Sequence, residues 1–277
     1  MAARRGGQLN TWLLLRGLTR DARHWGDFGE RLQRGVGAER VLMPDLPGNG
    51  LRWREPSALC MQDCVGELRL RLREAGALPP YRVFALSLGA MVALSWAEQH
   101  PGELLGAVLV NTSVGAHSPA HHRLRPGAWA TLLSLAAAPA ESARWERAVL
   151  RLTTRCAAEP LEAERLLERW SRWRLARPVS RANALRQLVA AARFRAPVQA
   201  PPLPLLLLAS LQDRLVDARC SARLAKAWNC PVVWHPSAGH DLPLDDPDWT
   251  VAAVADWLQG AQAARAPLEN RQGAWLR

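Results

Sequence analysis

The chain alternates short, almost wholly apolar runs with longer stretches in which apolar residues recur every three or four positions. The runs are TWLLL at 11–15, RVLM at 40–43, YRVFA at 81–85, LGAVLV at 105–110, LPLLLLA at 203–209 and PVVWH at 231–235. Several are apolar at successive positions, as a strand covered on both faces must be, and they predict about six strands of a mostly parallel sheet. Helices are expected near 22–34, 57–74, 88–99, 218–228 and 247–260. Strand and helix in alternation make the fold class α/β, with helices flanking the sheet.

The rhythm breaks once. From about 114 to 200 there is no strand-like run, only helical stretches rich in arginine and alanine that include Trp129, Trp145, Trp170 and Trp173. Residues 114–200 therefore read as a helical lobe inserted into a core formed by 1–113 and 201–277. Pro197, Pro201, Pro202 and Pro204 mark the return to the sheet, since proline punctuates element boundaries. The tryptophans and leucines of the lobe have two readings, lining an apolar pocket or packing the lobe on the sheet.

Candidate chemistry starts with serine. Three Ser-x-Gly triplets occur, at Ser87, Ser113 and Ser237. A nucleophilic serine needs a strand running straight into a helix, so that the hydroxyl stands at the strand tip beside the backbone N–H groups of the helix N-terminus. Only Ser87, in FALSLGA, meets that condition. The small residues Gly89, Ala90 and Ala93 let helix and strand approach closely around a backbone whose strain costs roughly 1–3 kcal/mol. A serine also needs a base and an acid that orients it. Asp213 follows the LPLLLLA strand in SLQDRLVD, and His240 follows PVVWH in PSAGHDLPL, giving the order Ser, Asp, His.

That order, and those loop positions, resemble the α/β-hydrolase family over nearly the whole chain. LLLRGL at 13–18 is similar to the family's His-Gly oxyanion loop, PDLPGNG at 44–50 to its D-x-x-G-x-G turn and AGHD at 238–241 to its histidine loop. The resemblance implies Ser87 as nucleophile, His240 as base, Asp213 as orienting acid, and the backbone N–H groups of Leu18 and Leu88 as the oxyanion hole. Two positions depart from the pattern: Ala85 stands where a glycine is usual, and Arg16 where a histidine precedes the oxyanion glycine. Some relatives carry the acid one strand earlier, but Asn111 occupies that place and an amide carries no charge. Asp217 suits the dipole of the following helix, and Asp45 suits a turn. His24, His235 and the His121-His122 pair fit packed or solvated roles.

The implied activity is hydrolysis of a carboxylic ester, thioester or lactone through an acyl-enzyme. The implied partner is a small, apolar acyl substrate. An acyltransferase using the same residues and a hydrolase-fold protein that binds without turnover are the alternatives. No cofactor or metal is expected, because no H-E-x-x-H or comparable spacing occurs. The resemblance also predicts a sheet lacking the family's first two strands, since about ten residues precede TWLLL.

Composition adds little to that picture. The net charge is +11, but of 36 basic residues only Lys226 is lysine, and the arginines are scattered, without a nucleic-acid-binding motif. Arg123, Arg125, Arg174 and Arg181 read as a solvated face in preference to an anion site. Five cysteines form no C-x-x-C pair, and Cys60, Cys64, Leu68 and Leu72 read as the buried stripe of a helix opened by Ser57. With no run of 18 apolar residues and no leader-like start, the expected location is the cytoplasm.

Overall fold

The computed structural model describes residues 10–137, 141–155 and 159–265. Strands β1 (Thr11–Leu15), β2 (Arg40–Leu42), β3 (Tyr81–Leu86), β4 (Leu104–Val110), β5 (Leu205–Ser210) and β6 (Val232–His235) form one sheet. Its order is β2-β1-β3-β4-β5-β6, and every pairing is parallel. The apolar runs thus become strands within one or two residues of expectation. The two partly exposed strands, β2 and β6, are the short ones at the sheet edges. The prediction about strands preceding β1 falls on residues 1–9, outside the described residues.

Alternation along β1 divides the core in two. Leu13 and Leu15 point to the face covered by α2 (Met61–Glu74), α3 (Leu88–Gln99) and α9 (Arg219–Trp228), together with Val83, Ala85 and Leu109. Trp12 and Leu14 point to the other face, where Phe84, Leu86 and Val108 meet α1 (Phe28–Gly35) and α11 (Pro247–Arg265), which follows the single-turn α10 (Leu242–Asp245). After β2 the chain crosses back to place β3 on the far side of β1. The carboxyl ends of β1 and β3 therefore flank the topological switch point, where open α/β sheets form their binding crevice.

Two local expectations fail for identifiable reasons. The helix expected over 22–34 is broken into a 3₁₀ turn at Ala22–Trp25 and α1, because Gly26 adopts φ +55° and ends the first turn. The helix expected from 57 starts at Met61, and Ser57 does not cap it. Its hydroxyl instead donates to Pro47 O and accepts from Gln187 Nε2, a bond to a residue 130 positions away. Cys64, Leu68 and Leu72 do form the buried stripe, and burial pushes the Cys64 thiol up to about 12. Among the described residues no helix is long and apolar enough to cross a membrane.

Among the described residues between β4 and β5 there are five helices and no strand: α4 (Ala120–Arg123), α5 (Pro126–Ala137), α6 (Ser142–Thr153), α7 (Pro160–Ala176) and α8 (Arg181–Arg193). They are bonded to the sheet loops by buried polar contacts. Arg20 Nη1 donates to Glu146 Oε2 of α6 at 2.6 Å, and Thr19 N donates to Gln187 Oε1 of α8 at 2.8 Å. The tryptophans divide between the two expected roles. Trp170 and Trp173 pack edge-on against His24, whereas Trp129 and Trp145 face the cavity described below.

His24 makes that seam pH-sensitive. Burial, reinforced by the Arg20 guanidinium, lowers its pKa from 6.5 to about 4. Arg20 can only donate, so Nε2 accepts and the ring is neutral, with Nδ1 facing Asp21. Between those two pH values the unfolded chain binds more protons than the fold does. The stabilisation is complete above about 6.5 and is lost as pH falls toward 4, by on the order of 3 kcal/mol. Urea titrations across this window should show stability rising with pH in the native protein and a flatter profile in His24→Gln.

Candidate active site

Ser87 sits between β3 and α3 at φ 55°, ψ −114°, a conformation that L-residues rarely adopt. The surroundings force it. Ser87 N donates to Val110 O of β4 at 2.9 Å, and α3 begins at once with residues buried on every side. Small residues make the turn fit. A Cβ at Gly89 would overlap the Leu15 carbonyl, and one at Gly17 would stand 3.2 Å from Ser87 Cβ. The loop after β1 is thus held against the serine, and Ala85, fully buried, is tolerated in place of glycine.

Asp213 and His240 are brought together from the loops after β5 and β6. His240 Nδ1 lies 2.6 Å from Asp213 Oδ2, and both side chains are almost wholly buried. The other carboxylate oxygen of Asp213 accepts from the N–H groups of Leu215 (2.7 Å) and Val216 (2.9 Å), so the side chain has one orientation. Ser87 and His240 line the same cavity, of about 230 Å³, and among the described residues no hydrogen bond joins them. Hydrogen bonds of this kind are commonly long without substrate and tighten in the complex. Leu18 and Leu88 border the cavity too, and the Leu88 N–H belongs to the first turn of α3, where no intrahelical acceptor exists.

The rival residues are occupied elsewhere. Asp217 receives two bonds from the Arg219 guanidinium, which holds its carboxyl well below the usual range. Asp45 accepts from Ala22 N and Leu51 N and shapes the turn around Gly48 and Gly50; burial raises its pKa. His235 accepts from Ser237 N and Ala238 N, and its Nε2 faces Asp246. Ser113 donates to Arg123 O.

Two contributors were not foreseen from the sequence. Asn111, at the end of β4 with φ 46°, donates through Nδ2 to His240 O (2.8 Å) and Ser210 Oγ (3.0 Å), and its Oδ1 accepts from Ser210 N. It ties the histidine loop to the sheet. Arg16 forms a two-pronged ion pair with Asp241, Nη1 to Oδ1 at 3.1 Å and Nη2 to Oδ2 at 2.6 Å, with side-chain exposures of 5% and 4%. Its guanidinium also lies 4.5 Å from the centre of the Trp25 ring. The loop after β1 and the loop carrying His240 are thereby joined directly. A third clamp comes from the helical layer: Asp241 N donates to Thr153 O at the end of α6, while Asp245 accepts from Gly239 N, Arg155 N and the Thr154 hydroxyl.

Known proteins with this architecture are numerous. A hydrolase from Pseudomonas aeruginosa PA01 superposes with a TM-score of 0.73 at 18% identity, over 90% of this chain and 90% of its own. The enol-lactonase from Burkholderia xenovorans LB400 gives 0.72 at 18% identity, over 92% and 94%. A thermophilic esterase from Thermogutta terrifontis gives 0.69 at 20% identity, over 92% and 91%. At these identities the likeness is one of fold. No curated protein matches the sequence. The profile of the alpha/beta hydrolase family matches residues 12–253, from the second residue of β1 into α11. With a six-stranded parallel sheet behind it and a match running through most of its length, the chain belongs to the alpha/beta hydrolase family.

Proposed function

We propose that the protein is a serine hydrolase that cleaves a carboxylic ester, thioester or lactone through an acyl-enzyme. The observation that carries this reading is the buried 2.6 Å contact between His240 Nδ1 and Asp213 Oδ2, with the imidazole facing the cavity that Ser87 lines. A solved esterase and a solved enol-lactonase among the structural neighbours make ester and lactone the bonds to test first.

On this reading Asp213 holds the proton on Nδ1, leaving the Nε2 lone pair to take the Ser87 proton as Oγ attacks the acyl carbonyl. The C=O electrons move onto oxygen, and the Leu18 and Leu88 N–H groups stabilise the oxyanion, each by about 3–4 kcal/mol in comparable sites. The imidazolium then protonates the departing alkoxide, thiolate or ring oxygen. Water, deprotonated by His240, releases the acid and regenerates Ser87. Residues 114–200 act as a cap whose Trp129 and Trp145 give the acyl pocket its apolar wall.

A fluorophosphonate probe tests the assignment. Labelling should fall on Ser87 and disappear in Ser87→Ala and in His240→Ala. Undiminished labelling of the Ser87→Ala protein would end the proposal.

A further inference from the structure

The cavity holding Ser87 and His240 is bordered by three arginines, and they are not equivalent. Arg16 is matched by Asp241 and Arg20 by Glu146, each at 2.6 Å. Arg123, the last residue of α4, has no carboxylate partner among the described residues. One of its donors is used, Nη2 to Ala191 O at 2.6 Å, and its Nε is buried without any partner. The ionisable groups that act on it are the Cys220 thiol and a second cation, Arg195, and burial lowers its pKa. The rest of the wall around it is largely apolar, with Leu124, Trp129, Leu132, Val149 and Leu188.

The Arg123 side chain is half-buried, and holding a guanidinium partly out of water without a counter-charge is costly unless an anion comes to match it. Arg123 lines the cavity in which an acyl group bound to Ser87 would lie. Arginine's planar fork matches a carboxylate in two-pronged fashion.

Resting on the serine-hydrolase reading, we infer that Arg123 is a specificity-determining residue that binds a carboxylate at the far end of the acyl group. The preferred substrates are then half-esters of short dicarboxylic acids. Neutral acyl groups of the same length leave the guanidinium unmatched and are poorer substrates. This reverses the expectation, drawn from composition, that Arg123 belongs to a solvated face. Of the others in that group, Arg125 pairs with Asp217 at 3.6 Å and Arg174 with Glu146 at 3.7 Å.

The experiment compares kcat/KM for monomethyl succinate, glutarate and adipate with methyl butanoate, pentanoate and hexanoate. The native protein should favour the best half-ester over its neutral counterpart by about tenfold or more, as one charge-assisted contact would give. Arg123→Gln should abolish the preference, and Arg123→Lys, which keeps the charge, should retain part of it. A native preference for the neutral esters would overturn the proposal. So would a preference that survives in Arg123→Gln, or one lost equally in lysine and glutamine variants, because loss of the Ala191 bond would then suffice. Calorimetric titration of the native protein with glutarate and with glutaramide, its uncharged diamide, needs neither turnover nor a stable variant. Glutarate binding about tenfold tighter supports the subsite, whereas equal affinity, or no binding of either, overturns it. If neither class of ester is hydrolysed but glutarate is preferred, the assignment of Ser87 fails and the anion subsite stands.

Discussion

Asp213→Asn should lower kcat toward an ester substrate by about 10⁴-fold while leaving the unfolding midpoint close to that of the native protein. The size of the loss follows from orientation. The Leu215 and Val216 N–H groups both point at one oxygen of Asp213, so an asparagine placed there keeps its own oxygen against them. Its NH₂ is then aimed at His240 Nδ1. An imidazole that accepts at Nδ1 carries its proton on Nε2 and has no lone pair left for the serine. The reverse orientation sets an NH₂ donor against two backbone donors and forfeits both bonds. Steady-state kinetics with a chromogenic ester, beside thermal melts followed by circular dichroism, decide the matter. Activity within tenfold of native would mean that Asp213 does not orient the base.

Asp241→Ala should destabilise the fold by about 3–5 kcal/mol, the cost of leaving one member of a buried ion pair unmatched. Arg16 would remain beneath the Trp25 ring with its Nε already lacking a partner, and its two forward-facing nitrogens would lose their acceptors. The double variant Arg16→Met/Asp241→Leu should recover most of the loss, because a pair of apolar residues of similar bulk removes both charges at once. Urea denaturation of the native protein, Arg16→Met, Asp241→Leu and the double variant closes the thermodynamic cycle, with Asp241→Ala measured beside them. A loss below about 1 kcal/mol in Asp241→Ala would show that the two loops are held by other contacts. Kinetics on the same proteins separate anchoring from chemistry, since the same loop carries His240.

Strands were readable because both faces of the inner sheet are covered, and short runs that are apolar at nearly every position have few other ways to be buried. The triad candidates were readable because each follows one of those runs directly. What escaped reading was decided by contacts between distant residues. Ser57 has the local look of a helix cap, yet its hydroxyl is used 130 positions away by Gln187. DARHWGDF has helical composition, and only the positive φ of Gly26 divides it. Asn111 was set aside as an acid, and its bonds to Ser210 and the histidine loop depend on β4 and β5 lying side by side. Arg16 stood out as a departure from the family pattern, and no local signal linked it to a carboxylate 225 residues onward. Arg123 was one arginine among many until its surroundings were known.

The contacts of Thr153, Thr154 and Arg155 with the loop at 239–245 carry a consequence for engineering. The end of α6 and the segment bearing His240 are bonded through the main chain of Asp241 and Thr153 and through the Asp245 carboxylate, so they form one mechanical unit although they belong to different parts of the chain. A chimaera that imports a foreign segment for residues 114–200 would sever the Asp241–Thr153 bond and release Asp245 from two of its donors, the Thr154 hydroxyl and Arg155 N. Transplants of this region should therefore carry 238–246 from the same donor protein, with modularity beginning at the far side, around α5.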